Sequence, residues 1–99
     1  MRLLSILGIG KNRKAMIAEA INNGAVIVDV RSELEYKQGH VSGSINIPLD
    51  HINQEVGKLK AMNKTILLCC ASGIRSASAT SSLKSQGLNC LNAGSWKNL

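Results

Sequence analysis

Aromatic side chains are nearly absent from this sequence, which has one Trp, one Tyr and no Phe among 99 residues. The core must therefore be built from Ile, Leu and Val, with Ala and Met filling the remaining space. Proteins that bind single-stranded nucleic acid without sequence preference stack bases on aromatic rings set among basic residues. No such pattern occurs here, so we expect no nucleic-acid partner although the chain is basic.

Acidic residues are also few, six against twelve Lys and Arg, which leaves a formal net charge of +6. A basic surface favours anionic partners, among them acidic protein surfaces and small oxyanions. The basic residues are scattered except for Lys11, Arg13 and Lys14, which we interpret as the solvated start of a helix.

Cysteine is sparse and odd in number: Cys69, Cys70 and Cys90, the first two adjacent. This is a poor disulfide framework and indicates a reducing compartment. The sequence has no apolar run long enough to span a bilayer. Basic residues follow its short apolar start, where a signal peptide would have a small-residue cleavage site. We therefore expect a cytoplasmic protein with no membrane partner.

Metal-ligand patterns are missing from the sequence as well. Neither His40 nor His51 has a Cys or a carboxylate at ligand spacing. Asp29, Glu33 and Glu35 are accounted for by helix capping and ion pairing, without an acid–base pair. We expect no metal and no cofactor.

Apolar runs alternate with amphipathic segments along the chain. Strands are predicted over residues 25–30, 45–47, 65–69 and 88–91. Helices are predicted to begin at Asn12, Ser32, Asp50 and Ser76. This alternation predicts one α/β domain over residues 1–99, with a mostly parallel sheet flanked by helices. Right-handed crossovers bring the carboxyl ends of the strands to one edge, where open α/β sheets bind ligands.

A tight loop of small residues follows the predicted strand 65–69. Its members are Cys70, Ala71, Ser72, Gly73, Ile74, Arg75 and Ser76. Backbone N–H groups at the start of the next helix have no helical partner and can converge above Cys70, and Arg75 adds a positive charge. Such surroundings lower the pKa of a thiol and yield a nucleophilic thiolate near neutral pH. The loop by itself predicts a reactive, anion-binding cysteine and does not name a substrate.

Four segments, in this order along the chain, resemble the rhodanese family of sulfurtransferases. Residues 28–31 with Glu35, and then residues 39–48, are similar to the family stretch "DVR…E…GHI.GAINIP". The loop 70–76 resembles the family's active-site loop, and residues 91–96 resemble its closing "L.GG…W". The resemblance spans roughly residues 26–96.

This resemblance implies a sheet of about five strands flanked by helices, with Cys70 alternating between thiol and persulfide. It implies that Arg75 lies in the anion cradle and that Asp29 and Arg31 form a structural pair behind the site. The other loop residues would contact the substrate. The implied activity moves a sulfane sulfur from a small donor to a thiol or cyanide-type acceptor, which could be a partner protein. We expect a monomer.

Two departures from the family pattern bear on the donor and the fold. Many thiosulfate-using relatives have a charged or polar residue where this chain has Ala71. We therefore expect a persulfide donor, with thiosulfate as the alternative. Ser95 replaces the second glycine of the closing motif, which leaves the fold assignment intact.

Two other function classes stay open at this point. Cys69 and Arg75 have the Cys-x5-Arg spacing of cysteine phosphatases, but from Cys70 the loop is one residue shorter and suits a single protruding sulfur. A non-catalytic redox- or sulfide-sensing module, or a sulfur carrier, would also keep Cys70. Cys69 could then be its oxidation partner. Cys90 lies in an apolar segment and is interpreted as a packing residue.

Overall fold

The structure, a computed structural model, describes residues 12–99. The apolar start of the chain and Lys11 lie outside the described residues. Four strands form one parallel sheet: β1 (Val26–Asp29), β2 (Ile45–Asn46), β3 (Ile66–Cys70) and β4 (Cys90–Ser95). Their order across the sheet is β2-β1-β3-β4.

Helices flank this sheet and connect its strands. The α-helices are α1 (Arg13–Asn22), α2 (Glu33–Gln38), α3 (Val56–Met62) and α4 (Ile74–Ser85). Two 3₁₀ helices cover Leu49–Glu55 and Trp96–Asn98. The predicted α/β class with a parallel sheet is confirmed. Within residues 12–99 the sheet has four strands instead of about five, because the chain there offers only the four extended apolar segments seen in the sequence.

Local sequence signals account for the start of two helices. The Asn12 Oδ1 atom accepts the Ala15 N–H at 2.8 Å, as its predicted role as a cap requires. Ser32 and Glu35 form the predicted capping box, in which each side chain accepts the other residue's backbone N–H. Both predicted starts are confirmed.

The predicted cap at Asp50 is wrong. The chain enters a 3₁₀ helix directly after Pro48, since the His51 N–H donates to the Pro48 carbonyl at 2.8 Å. No side-chain cap precedes this 3₁₀ helix, and the α-helical geometry begins only at Val56.

Other boundaries differ from the prediction as well, and β4 continues to Ser95, past the predicted end at residue 91. β3 includes Cys70 because that residue pairs with Ser95 in the parallel ladder. α4 begins at Ile74, two residues before the predicted start. The last strand begins at Cys90 because the Leu88 N–H still completes the end of α4, donating to the Leu83 carbonyl at 3.1 Å.

Every residue of β3 is buried, so the sheet is covered on both faces at this strand. Leu68 and Cys70 belong to the core between the sheet and helices α3 and α4. Leu67 and Cys69 belong to the opposite core, against which Ile17 of α1 packs. Because side chains alternate along a strand, the two adjacent cysteines lie on opposite faces of the sheet.

No helix within residues 12–99 is long and apolar enough to cross a membrane.

Candidate active site

The loop between β3 and α4 lies at the carboxyl edge of the sheet. Gly73 is the residue before α4 and has a φ of 102°, in the left-handed region that glycine adopts most easily. Ala71 and Ser72 are exposed, and Ile74 is exposed over 78% of its surface. These side chains of the loop therefore point to solvent, and backbone N–H groups of the loop point inward.

The Cys70 sulfur is the point on which these inward groups converge. Its Sγ atom accepts the Gly73 N–H at 3.0 Å and the Ser76 N–H at 3.4 Å. The Ser76 hydroxyl oxygen lies 3.4 Å from the same sulfur. Gly73 and Ser76, two of the predicted loop residues, thus lie around the Cys70 sulfur.

Cys70 is fully buried, which bears on how readily it ionises. Burial raises the pKa of its thiol, but hydrogen bonds from Ser76, Gly73 and Ser72 to the sulfur outweigh that effect. The net result is a pKa below the ordinary value for cysteine. The geometry can therefore stabilise a thiolate at Cys70.

The pKa values of the other two cysteines are raised, in contrast to that of Cys70. Burial, followed by the negative charge of Asp29, raises the pKa of Cys69 to about 12. Burial also raises the pKa of Cys90, whose sulfur donates to the Thr80 carbonyl at 3.5 Å. Both thiols are buried and protonated at neutral pH.

Asn92 of β4 connects the two sides of the cysteine loop, a role that the sequence did not reveal. Its Nδ2 donates to the Gly73 carbonyl at 3.1 Å. Its Oδ1 accepts the Ser76 hydroxyl at 2.7 Å and the Gly94 N–H at 3.0 Å. The closing motif contains Asn92, but only the pairing of β4 with β3 brings it to the loop.

Arg75 makes a two-pronged ion pair with Glu35 of α2. Its Nη1 and Nη2 donate to the two carboxylate oxygens at 2.8 and 3.0 Å. The Arg75 hydrogen bond and the Ser32 N–H lower the pKa of Glu35 to about 2, and the same pair raises the pKa of Arg75. The guanidinium therefore stands at the start of α4 with its charge largely compensated by Glu35.

Asp29 and Arg31 form a second ion pair, which is buried at the end of β1. Arg31 Nη2 lies 2.7 Å from Asp29 Oδ2 and also donates to the Gly39 carbonyl at 2.7 Å. Its guanidinium lies 4.4 Å from the centre of the Trp96 ring. This pair fixes α2, which carries Glu35, against the carboxyl edge of the sheet.

Both histidines contact residues three or four positions away in the chain. His40 stacks on Tyr36 with ring centroids 3.7 Å apart and has its Nδ1 2.7 Å from the Tyr36 carbonyl. His51 Nδ1 lies 3.5 Å from Gln54 Oε1. Within residues 12–99, no group of three or more His, Cys, Asp or Glu is placed to hold a metal ion.

A groove of about 690 Å³ opens beside Ser72, between α1 and the end of β4. Its lining carries the cations Arg13 and Lys14 and, among the described residues, no Asp or Glu. Its remaining wall is mostly apolar, with Ile17 and Ala93 among the contributors. The groove can therefore attract anions to the neighbourhood of the loop.

Comparison with known proteins shows what this fold and loop are similar to. The profile described as the rhodanese-like domain matches residues 14–98. A tRNA uridine(34) hydroxylase of Buchnera aphidicola subsp. Baizongia pistaciae is 37% identical over 71 residues, which cover 67% of this chain and 23% of that protein. A tRNA sulfurtransferase of Thermoplasma acidophilum is 37% identical over 70 residues, covering 70% of this chain and 14% of that protein.

A solved structure of a rhodanese with anions from E. coli is similar over nearly its whole length. Its identity to this chain is 32% and its TM-score is 0.70, with 77% of this chain and 92% of that one covered. By contrast, the chain spans less than a quarter of the two curated relatives, at 23% and 14% of their lengths. The shared part is thus a small portion of those longer proteins. This chain belongs to the rhodanese-like domain family.

Proposed function

We propose that this domain is a sulfurtransferase that carries a sulfane sulfur as a persulfide on Cys70. The contrast among the three cysteines carries this proposal. The Cys70 sulfur receives two backbone N–H groups and its pKa is lowered despite burial, whereas burial raises the pKa of Cys69 and Cys90. The thiolate is the nucleophilic form of cysteine, so Cys70 is the sulfur suited to attack.

Sulfur transfer through Cys70 takes two balanced steps. In the first, the Cys70 thiolate attacks the outer sulfur of a donor persulfide. A new S–S bond forms on Cys70, the donor's own S–S bond breaks, and the donor leaves as a thiolate. In the second, an acceptor thiolate or cyanide attacks the outer sulfur and Cys70 leaves as the thiolate. No external oxidant or reductant is needed.

The loop donors suit both charged forms of this cycle. The Gly73 and Ser76 N–H groups lie at the start of α4, where the helix dipole also favours negative charge. They stabilise a thiolate on Cys70 and, in the loaded form, lie next to the negative outer sulfur. Arg75 adds positive charge nearby, moderated by Glu35.

The relatives support a sulfur-related function within the rhodanese-like family. One is named a tRNA sulfurtransferase and the other a tRNA uridine(34) hydroxylase, and each is several times longer than this chain. We propose a small persulfide as donor and a thiol as acceptor, free or on a partner protein. We further propose that the domain works as a monomer in a reducing, cytoplasmic setting, without a nucleic-acid or membrane partner of its own.

Two alternative functions receive less support. A phosphatase using Cys69 would need a thiolate at a fully buried thiol whose pKa is about 12. A redox sensor using a Cys69–Cys70 disulfide would need to join side chains that point to opposite faces of β3. Neither geometry favours the chemistry that the alternative requires.

Intact mass after incubation with a persulfide donor tests the proposal. The parent protein should gain the mass of one sulfur, and cyanide or excess thiol should remove it. Cys70→Ser should abolish the adduct, while the matched variant Cys90→Ser should retain it. An adduct that survives in Cys70→Ser and disappears in Cys69→Ser would show that Cys69 carries the sulfur, and would overturn the proposal.

A further inference from the structure

The amide of Asn92 has only one orientation that its backbone neighbours accept. The Gly94 N–H can only donate, so the Asn92 atom 3.0 Å from it is the oxygen. The Gly73 carbonyl can only accept, so the atom 3.1 Å from it is the nitrogen. Two backbone groups on separate segments therefore fix which end of the amide faces Ser76.

This orientation decides where the Ser76 proton lies. The atom 2.7 Å from the Ser76 hydroxyl is the Asn92 oxygen, which cannot donate, so the hydroxyl must be the donor. A hydroxyl has one proton. While it points to Asn92, the hydroxyl turns only lone pairs towards the Cys70 sulfur, 3.4 Å away.

A lone pair facing Cys70 suits some chemical states of the sulfur and not others. A thiol can donate its own S–H to the Ser76 oxygen, and the inner sulfur of a persulfide has no charge because the charge lies on the outer sulfur. A thiolate needs a donor instead. The Ser76 hydroxyl can supply one, and so help to lower the pKa of Cys70, only by turning to the sulfur and giving up its 2.7 Å bond to Asn92.

We propose that Asn92 is a positioning residue that withholds the Ser76 proton from Cys70 and so favours the sulfur-loaded form over the free thiolate. This inference rests on the proposed function, because it concerns the two states between which a sulfurtransferase cycles. Asn92 and the Cys70 thiolate compete for the hydrogen bond of the Ser76 hydroxyl. The competition ends once Cys70 carries sulfur, because the inner sulfur is then uncharged. Asn92 therefore shifts the equilibrium at Cys70 towards the sulfur-loaded form, beyond the effect of the loop N–H groups alone.

A double-mutant cycle between Asn92 and Ser76 isolates this effect. The measured quantity is the midpoint of the pH profile for alkylation of Cys70 by iodoacetamide, followed on the Cys70 peptide by mass spectrometry. A midpoint reports the thiolate equilibrium and is unaffected by a uniform change in access to the sulfur. Asn92→Ala also removes the bond to the Gly73 carbonyl, but that loss is common to both Ser76 backgrounds and cancels.

We expect Asn92→Ala to move the midpoint to lower pH, by an amount equal to a roughly three- to tenfold gain in the thiolate equilibrium, the range for one hydrogen bond. In the Ser76→Ala background the same change should produce no such gain. The matched control Asn89→Ala, which removes a bond to Thr65 away from the loop, should leave the midpoint in place. Equal shifts in the two Ser76 backgrounds, or a shift to higher pH in Asn92→Ala alone, would overturn the proposal.

Asn92→Asp tests the same idea if Asn92→Ala does not fold. Its carboxylate holds the Ser76 proton more strongly, so the midpoint should rise more with Ser76 present than in Ser76→Ala. Equal rises would refute the role of the proton.

Sulfur loading gives a second measurement that separates this inference from the proposed function. At a pH above the alkylation midpoint of the parent, where unloaded Cys70 is mainly thiolate, and at a fixed ratio of donor persulfide to free thiol, the ratio of loaded to unloaded Cys70 should fall roughly three- to tenfold in Asn92→Ala. Absence of loading in every variant, parent included, would refute the sulfurtransferase proposal and leave the alkylation cycle to decide on Asn92. Normal loading in the parent with no change in Asn92→Ala would refute the role of Asn92 alone.

Discussion

Gly73 lies so close to Gly94 that a Cβ atom on Gly73 would come within 3.3 Å of the Gly94 Cα atom. Gly73 also donates its N–H to the Cys70 sulfur at 3.0 Å. The distance between two backbone segments thus determines where the first donor of the sulfur site lies. Each glycine has a positive φ, 102° at Gly73 and 80° at Gly94, which suits this close approach.

Gly73→Ala should therefore damage the site as well as the fold. An alanine at a positive φ costs about 1–2 kcal/mol in backbone strain. Its methyl group must also push the loop away from Gly94. This shift should lengthen the hydrogen bond from residue 73 N–H to the Cys70 sulfur and raise the pKa of the Cys70 thiol. We expect a lower Tm in thermal unfolding and slower persulfide formation at neutral pH.

Gly43→Ala is the matched control for this substitution. Gly43 has a φ of 84°, and a Cβ there would meet no atom within 4 Å. It should cause a similar backbone strain without moving the loop. If both variants form the persulfide at the same rate, the contact with Gly94 does not position the sulfur donor.

The capping box at Ser32 illustrates what the sequence could predict. Ser32 and Glu35 stand three residues apart, and their capping interaction depends on local geometry alone. The second role of Glu35, as partner of Arg75, joins residues 40 positions apart. That contact depends on how α2 and α4 lie on the same edge of the sheet, which no local pattern encodes.

The cysteine loop was predictable for a similar reason, and Asn92 was not. The donors to Cys70 come from within six residues of it, so the loop sequence contains them. Asn92 reaches Ser76 across 16 positions and through the pairing of two strands. The sequence-based prediction also began the last strand too early. The backbone hydrogen bond from the Leu88 N–H to the Leu83 carbonyl, which completes the end of α4, has no signature in the local sequence.

Arg75→Ala should slow sulfur transfer by roughly one to three orders of magnitude, as expected for loss of one electrostatic contact to an anionic site. The substitution removes a positive charge and leaves the Glu35 carboxylate without its Arg75 partner. Both changes disfavour the thiolate, so the pKa of Cys70 should rise. Because the Arg75 side chain is 38% exposed, the effect on Tm should be modest. Single-turnover persulfide formation and thermal unfolding measure the two effects.

The double variant Arg75→Ala/Glu35→Gln separates the two parts of that effect. Glu35→Gln removes the uncompensated negative charge, so the double variant should recover part of the lost rate. Unfolding of Arg75→Ala at room temperature would instead mark Arg75 as mainly a structural ion-pair partner. The same conclusion would follow if Arg75→Ala transferred sulfur at the parental rate.

Acid should remove the stabilisation that Glu35 gives to the fold. Its pKa falls from the ordinary 4.5 to about 2 in the folded protein, chiefly through the Arg75 hydrogen bond and the Ser32 N–H. A lowered folded-state pKa means that this stabilisation is complete above about 4.5 and is lost as the pH falls towards about 2. Solvent screens the pair, since the Glu35 side chain is 37% exposed, so the contribution is small and weakens with salt.

Thermal unfolding of the parent and of Glu35→Gln across this pH range tests that expectation. The Tm difference should be constant near neutral pH, should shrink as the pH falls below about 4.5, and should be mostly lost near pH 2, where about half of the parent carboxyl groups are protonated. Glu33→Gln is a matched control on the same turn of α2, because Glu33 makes no ion pair within residues 12–99. If the Tm difference for Glu35→Gln does not change with pH, the ion pair contributes nothing to stability.

A persulfide should be a better sulfur donor than thiosulfate, because the loop lacks a second anion contact. Thiosulfate is a dianion, and its efficient use requires donors beyond the N–H groups that surround Cys70. Ala71 offers neither a charge nor a hydrogen bond. The cations Arg13 and Lys14 of the neighbouring groove attract anions and raise the encounter rate, but such steering does not replace a contact at the reacting sulfur. A persulfide donor leaves as a single thiolate and depends less on that contact.

Ala71→Arg should therefore raise kcat/KM for thiosulfate roughly tenfold, the value of one charge-assisted hydrogen bond, with little change for a persulfide. Position 71 is exposed, so the longer side chain can reach the donor without disturbing the core. Ala61→Arg on α3 adds the same charge at another exposed position and controls for long-range attraction. Both donors are compared at matched pH and ionic strength. The expectation fails if thiosulfate equals the persulfide in the parent, or if Ala61→Arg improves thiosulfate use as much as Ala71→Arg, since the limiting factor would then be attraction and not a missing contact.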